Sequence, residues 1–523
     1  MAAYEEINIG PFVGGLNSLS DQTSIGDTEL FQCTNFELDQ DGSLVSRPPV
    51  RQPSTNAIPG TTKGVKILGY FVDSAQTVYL IASNMEGATY YYASGNWTLI
   101  TATFAATACC QYRDKLYLVA PLTSSNPGGT WTVAGGFVAD AAMPKGVAIV
   151  SNKDRLWVCQ GASATSNGSR VYVTDIVSGA PAWQGNFITA SGGDGQNVVD
   201  IAVYNADIII FKQSSTYRFA FGSDVATGYF STLSSTVGLN STGCWVSNEQ
   251  QLYVVSNNNV YEFTNYIFNR LNLTVPLKAN NPSASLFEKT SISVWADRLF
   301  VSYYDSLFVY NLKNRTWSKW QSDRVVSFGR FFPVPFQQAA RPIAFLYSTQ
   351  PLSTAGAPTA SAYIYQIVNI IEAGTSTDIA TSEQMSCTFE TKNYDYQSPS
   401  RFKRLKMWGA DVDLRNNITV TAQPVLYAKK VTWGEVRTRT WGAAKAYTWG
   451  RPTDPDVAVA ETISVAGIAG GKKFVKFMKS LRFRQISYKG VATCNGITDD
   501  SPVRVYKLST YVKEKELISA KIN

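Results

Sequence analysis

QLYVVSN (Gln251 to Asn257) sets four consecutive apolar residues between polar ends, and the stretches around it show what kind of strand it is. A polar turn, NEQ at Asn248, precedes it and a second strand candidate, NVYEFTN, follows. The same unit recurs along the chain: a short strand, a turn, a strongly apolar strand, a polar turn and a third strand. Its central strand reappears as TVYLIAS (Thr77 to Ser83), KLYLVAP (Lys115 to Pro121), RLWVCQG (Arg155 to Gly161), DIIIFKQ (Asp207 to Gln213) and RLFVSYY (Arg298 to Tyr304). Polar turns at Tyr112, Asn152 and Trp295 stand before three of these, and third strands follow as ATYYY, RVYVTD, TYRFAFG and SLFVYNL.

Central strands 38 to 52 residues apart match the length of a four-stranded propeller blade. A seventh unit falls at PIAFLYS (Pro342 to Ser348) and AYIYQIV (Ala362 to Val368). Residues 64 to 372 therefore predict about seven blades, within a range of six to eight. Such a ring buries each blade's apolar faces against its neighbours and must close to hide its edges. Tryptophans after polar turns, at Trp97, Trp131 and Trp317, are expected to pack between blades.

The chain has 523 residues, too many for one ordinary core. With 45% hydrophobic, 13% aromatic and 16% charged residues it reads as folded and rich in strands. No stretch sustains a 3.6-residue period, so little helix is expected. Three segments are predicted: an extended N-terminal arm over 1–60, the β-propeller over 61–375, and a basic β-sandwich over 376–523. The last is read from longer alternating strand candidates, MSCTFETKNY, RFKRLKMWGADVDL, NITVTAQPVLY, KKFVKFMKSLRFRQISY and VRVYKLSTYV. From residue 381 onward there are 24 Lys+Arg against 13 Asp+Glu, and the rest of the chain has 22 against 26. The C-terminal segment is thus strongly basic beside a mildly acidic remainder.

The sequence contains no histidine. Histidine dyads, His-ligated zinc and imidazole acid–base catalysis are thereby excluded, leaving only carboxylate, Lys or Tyr chemistry to an enzyme. Seven scattered cysteines form no C-x-x-C pair and read as reduced, packed thiols. No catalytic, metal or cofactor residue is nominated. The loop SGGDGQNVVD (Ser191 to Asp200) offers Asp194 to a cation but lacks calcium-loop spacing. SSNPGGTW (Ser124 to Trp131) approaches the Asp-box turn of sialidases, with Asn126 in place of Asp. The N-terminus carries Glu5 and Glu6 without a following apolar run, so neither a signal peptide nor a membrane span is expected, and synthesis and folding are expected in a cytoplasm.

Two groups are candidates for partner contact. Lys472, Lys473, Lys476 and Lys479 interleave with apolar residues, as on a solvated strand face or a sequence-independent nucleic-acid contact. Trp433, Trp441 and Trp449 sit in three TWG triplets with a period of eight, which suit core slots of a meander, a subunit contact or a host-surface contact.

The stretch FVGGLNSLSDQTSIGDTELFQCTNFELDQDGSLVSRPPV (Phe12 to Val50) resembles the N-terminal signature of propeller-type bacteriophage tail proteins. The matching residues are Gly14, Gly15, Leu16 and Asn17, an acidic turn around Ile25, Asp27 and Glu29, then Asn35, Gly42, Ser43, Leu44, Arg47 and Pro48. The resemblance implies a virion structural protein, a tail nozzle or a minor tail protein. It further implies a homo-oligomeric ring, for instance a hexamer, with other tail proteins as partners and DNA in transit through the ring. The alternative is a propeller-fold glycosidase or glycan-binding protein using carboxylates or Tyr. A third reading is a host-encoded propeller that binds proteins.

Overall fold

The computed structural model describes residues 5–48, 50–51, 56–59, 65–84, 87–161, 168–177, 180–222, 224–248, 250–278, 290–295, 297–304, 306–321, 332–334, 343–348, 363–367, 385–396, 403–413, 418–425, 461–465, 472–483, 485–494 and 503–514. Among them the only helix is a three-residue 3-10 turn, Val225–Thr227, and everything else regular is strand. The chain divides into two compact units. One comprises residues 50–310 and 321–368, the other residues 1–49, 311–320 and 369–523.

The first unit is a seven-bladed β-propeller. Six blades are antiparallel four-stranded sheets, for example Val65–Val72, Val78–Asn84, Thr89–Ala93 and Asn96–Thr101 in blade 1. In blade 4 the strands are Val198–Tyr204, Asp207–Lys212, Thr216–Ala220 and Tyr229–Ser234, and in blade 5 Trp245–Asn248, Gln251–Ser256, Asn259–Thr264 and Ile267–Arg270. Blade 6 contains Thr290–Trp295, Arg298–Tyr303 and Ser306–Asn311. Every apolar heptapeptide read from the sequence supplies the second strand of its blade, flanked on both sides, and in blades 1 to 6 these strands are largely buried on both faces. Double-sided burial explains why these strands are apolar runs and do not alternate.

The polar stretches before them are two-residue hairpin turns. Lys153 and Asp154 (φ +49° and +59°) and Asn205 and Ala206 (φ +48° and +64°) take the left-handed conformations that twist-compatible tight turns need. Inner strands adjoin in order from blade 1 to blade 4 and from blade 5 to blade 7, and that of blade 7 returns to blade 1. Between blades 4 and 5 the Gly243 amide donates to Asp200 Oδ2 at 2.9 Å. Trp131 packs 5.5 Å from Phe71 and 5.0 Å from Tyr91 of the preceding blade, the inter-blade role its position suggested.

Blade 7 orders its strands Phe332–Val334, Ile343–Ser348, Tyr363–Ile367 and then Val50–Arg51. The outer strand of the last blade thus comes from the beginning of the propeller sequence. The ring is closed by hydrogen bonds between chain ends, which removes the unpaired edges a first and a last blade would otherwise expose.

The second unit is a β-sandwich. One sheet runs Phe36–Leu38, Leu44–Ser46, Arg504–Glu514, Lys403–Asp413 and Lys472–Phe483, with Glu5–Ile9 also paired to Arg504–Glu514. The other runs Thr316–Trp320, Glu29–Thr34, Met385–Thr391, Gln485–Cys494, Ile418–Val425 and Glu461–Val465, with Gly15–Leu16 parallel to Glu29–Thr34. Phe389 lies 6.1 Å from Phe12 and 5.8 Å from Phe36, and Trp408 lies 5.8 Å from Tyr488, joining the two layers. The stretch read as an extended arm therefore supplies five short strands to the sandwich, whereas Val50–Arg51 completes the propeller. KKFVKFMKSLRFRQISY divides into two strands in different sheets, and Glu461–Val465 is a strand that alternation alone did not single out.

Candidate functional site: the N-terminal clasp

The residues from Gly14 to Pro48 singled out in the sequence converge in the sandwich. Gly15 (φ +70°) begins the parallel strand, and a Cβ there would lie 2.8 Å from the Thr316 side chain. The Gly14 amide bonds Thr28 O at 3.0 Å, Leu16 is buried, and Asn17 Nδ2 donates to Glu29 Oε2 at 2.9 Å. Gly42 (φ +76°) turns the hairpin that carries Leu44, whose side chain is fully buried. These positions need a left-handed turn, a close approach or a buried aliphatic, which is why those residue types occupy them.

Asn35 and Arg47 form the centre of this clasp. Asn35 (φ +59°) is a buried left-handed residue that ends one strand and starts the next. Its amide bonds Lys319 O at 2.8 Å, its Nδ2 donates to Ser386 O at 2.7 Å, and its Oδ1 accepts Arg47 Nε at 2.9 Å. Arg47 is fully buried; its Nη1 donates to Pro48 O at 2.9 Å and its guanidinium sits 5.3 Å from the Trp320 ring centre. One side-chain pair thus ties together segments near residues 35, 47, 319 and 386.

Oppositely charged segments meet within this unit. Residues 1–49 hold one basic residue against eight acidic ones, so the acidic excess of the non-C-terminal part lies here and not in the propeller. Arg504 Nη1 meets Asp39 Oδ2 at 2.9 Å, and Lys392 pairs with Asp27. Lys472 stands opposite Asp413 in the strand register, and Arg504 flanks Asp413 from the other side. Two of the basic residues of the C-terminal segment, Arg504 and Lys392, thus face the chain's own acidic N-terminal segment.

Lys472, Lys473, Lys476 and Lys479 all lie on Lys472–Phe483, the last described strand of its sheet. Lysines on an outermost strand discourage edge-to-edge pairing. Trp433, Trp441 and Trp449 lie outside the described residues.

Asp194 does hold a cation, and it is Lys212. The Lys212 side chain is fully buried and donates to Asp194 Oδ1 at 2.7 Å, Ser191 O at 2.8 Å and Ser169 Oγ at 3.2 Å. Three ammonium protons meet three acceptors, which fills the place a metal would need. Burial works to raise the Asp194 pKa, but the Lys212 bond and charge outweigh it and hold the carboxyl below its ordinary value. Asn126 Nδ2 donates to Thr103 O, in the loop after blade 1, at 3.0 Å, and the Asp-box-like segment ends at the buried Trp131. Burial pushes the Cys33, Cys110 and Cys159 thiols up, as expected of packed thiols.

No protein-family model matches the chain, and no curated protein matches it in sequence. Among solved structures it is similar to the WD40 domain of Neurospora crassa Pan2, at 8% identity over 62% of this chain and 97% of that one, with a TM-score of 0.40. It is also similar to the extracellular domain of BT4673 from B. thetaiotaomicron, at 11% identity over 88% of this chain and 62% of that one, with a TM-score of 0.43.

Proposed function

We propose that the chain is a structural protein of a bacteriophage tail, a nozzle, hub or tip component that assembles as a symmetric homo-oligomeric ring around the DNA path. The observation that supports this reading is the signature itself. Its nine positions, from Gly14 to Pro48, are turn-forming, hydrogen-bonded or buried in the sandwich, so the resemblance rests on architecture and calls for no chemistry at a site. A part that must survive assembly and ejection gains from having its termini bonded to each other, as the Glu5–Ile9 and Arg504–Glu514 strands are. In this reading the chain works in the virion, catalyses no turnover, and touches passing DNA without sequence preference. Immunogold electron microscopy of virions with an antibody to the propeller tests it. Label at the tail supports the proposal, and label-free virions produced in cells that express the protein contradict it.

A further inference from the structure

Blade 3 differs from its neighbours in the link between its third and fourth strands. In blades 1, 2 and 5 that link spans residues 94–95, 133–135 and 265–266, whereas in blade 3 it runs from 174 to 186. The longer link carries the hairpin of Asp175–Val177 with Ala180–Ala182 and then Trp183, which is buried in one cluster with Val119 of blade 2, Met143 and Leu156. A cavity of about 350 Å³ lies there, and among its lining residues are Leu122, Met143, Lys145, Gln160, Tyr172 and Trp183. Strand Arg170–Val173 shows which face of blade 3 it touches. Val171 and Val173 pack with Ile201 and Ile208 of blade 4, whereas Tyr172 packs with Trp183 and Met143 on the side of blade 2. A four-stranded blade closes without so long a link, and here the link walls a space within the size range of ligand sites.

Positive charge stands at this cavity without a matching carboxylate. Among the described residues no Asp or Glu lines it. Lys145 Nζ donates to Ser124 O, and among the described residues its other two ammonium protons have no partner. Arg170 lies two residues before Tyr172 and so on the same face of its strand. Its guanidinium is 4.3 Å from the Phe187 ring centre, and Phe187 is 5.8 Å from Tyr172. The buried Arg170 Nε has no hydrogen-bond partner among the described residues. Acidic residues of the adjoining links are engaged elsewhere: Asp140 Oδ1 accepts the Ala142 amide at 2.9 Å, and Asp175 accepts from Arg155 and Asn186.

We infer that the cavity between blades 2 and 3 binds a cyclic organic carboxylate. Lys145, with Arg170 beside Tyr172, offers unused charged donors to the carboxylate, and charge-assisted bonds of this kind are the strong ones. Met143, Tyr172 and Trp183 offer the ring an apolar and aromatic surface. A neutral ligand of the same shape gains only the ring contacts, and a bare inorganic anion gains only the charge. The site therefore selects for a ring and an acidic group in one molecule. At about 350 Å³ it lies at the small end of ligand sites, which limits the occupant to one ring or two fused rings. The inference stands on the propeller alone and does not rest on the tail reading.

Saturation-transfer NMR titrations on the purified full chain read this binding directly. The probes are benzoate, cyclohexanecarboxylate, indole-3-acetate and glucuronate, each beside its own neutral amide. At least one acid should bind about tenfold or more tightly than its amide, because the amide forfeits the charged bonds. Lys145→Gln should weaken that acid by about tenfold and leave the amide unchanged, with the circular dichroism spectrum confirming a folded chain. Lys145→Arg, which keeps the charge, should retain the preference for acid over amide. If Lys145→Gln does not fold, because Lys145 also holds Ser124 O, Arg170→Gln takes its place with the same expected loss. The inference is overturned if the wild-type chain prefers no acid over its amide, or if the folded Gln variant keeps the wild-type preference. Neither result bears on the tail location, which the virion labelling decides separately.

Discussion

Arg47→Met keeps the bulk of a buried side chain and removes its charge and both bonds, so it isolates what the clasp contributes. Bonds from a charged donor are worth about 1.5–3 kcal/mol each, and Arg47 makes them to Asn35 Oδ1 and Pro48 O. The contact with Trp320 adds up to about 2 kcal/mol. Releasing a buried cation from its desolvation penalty works the other way by several kcal/mol. The expected net loss is about 2–4 kcal/mol, the range seen when one partner of a buried polar network is removed. Urea unfolding followed by tryptophan fluorescence reports it through Trp320 and Trp408, both buried in the sandwich. With a slope of about 2–3 kcal/mol/M, the sandwich transition should move down by about 1 M. Asn35→Gly keeps the left-handed backbone and removes the same bond from the other side. The double variant should cost less than the two singles together, with about 1–3 kcal/mol of coupling. Single variants that each shift the midpoint by less than about 0.2 M, or that add without coupling, would refute the clasp.

Other outcomes follow from the same structure. Gly15→Ala combines a positive φ with a 2.8 Å approach to Thr316 and should cost at least about 2 kcal/mol of sandwich stability, read in the same urea experiment. Asp194 has a folded pKa below its unfolded one, so its contribution is present above the ordinary carboxylate range and is lost as pH falls through the folded value. Asp194→Asn should therefore flatten the thermal stability profile of the propeller below the ordinary carboxylate range and lower the plateau above it. Removing residues 1–45 takes Phe12, Phe36 and Leu44 out of the sandwich core and unpairs one edge of Arg504–Glu514, so the truncated chain should expose the amides of that edge to rapid hydrogen exchange. Replacing Lys472, Lys473, Lys476 and Lys479 together by Gln should increase light scattering at low salt while leaving the circular dichroism spectrum unchanged, because the last described strand of its sheet loses its guard.

The propeller was legible because its central strands obey one local rule seven times. A strand covered on both faces must be apolar throughout, so DIIIFK and QLYVVS announce themselves without knowledge of what covers them. The sandwich was legible only in its long strands. Strands of two to six residues, such as Gly15–Leu16 and Leu44–Ser46, carry too few side chains for a period to appear. Their partners lie hundreds of residues away, as Asn35 and Ser386 show. Charge counted along the chain separated acidic and basic stretches that folding brings together, at Asp39 and Arg504 among others. The partner of Asp194 left one trace in the sequence: a lysine, Lys212, closing an otherwise apolar central strand.

Particle images of the purified full-length protein test the central claim most directly. At concentrations from micromolar upward, electron microscopy should show closed rings of several copies, each copy carrying a seven-bladed disc, with the same rings visible in the tails of intact virions. A protein that stays monomeric across that range and is missing from virions that contain every other tail component would contradict the account.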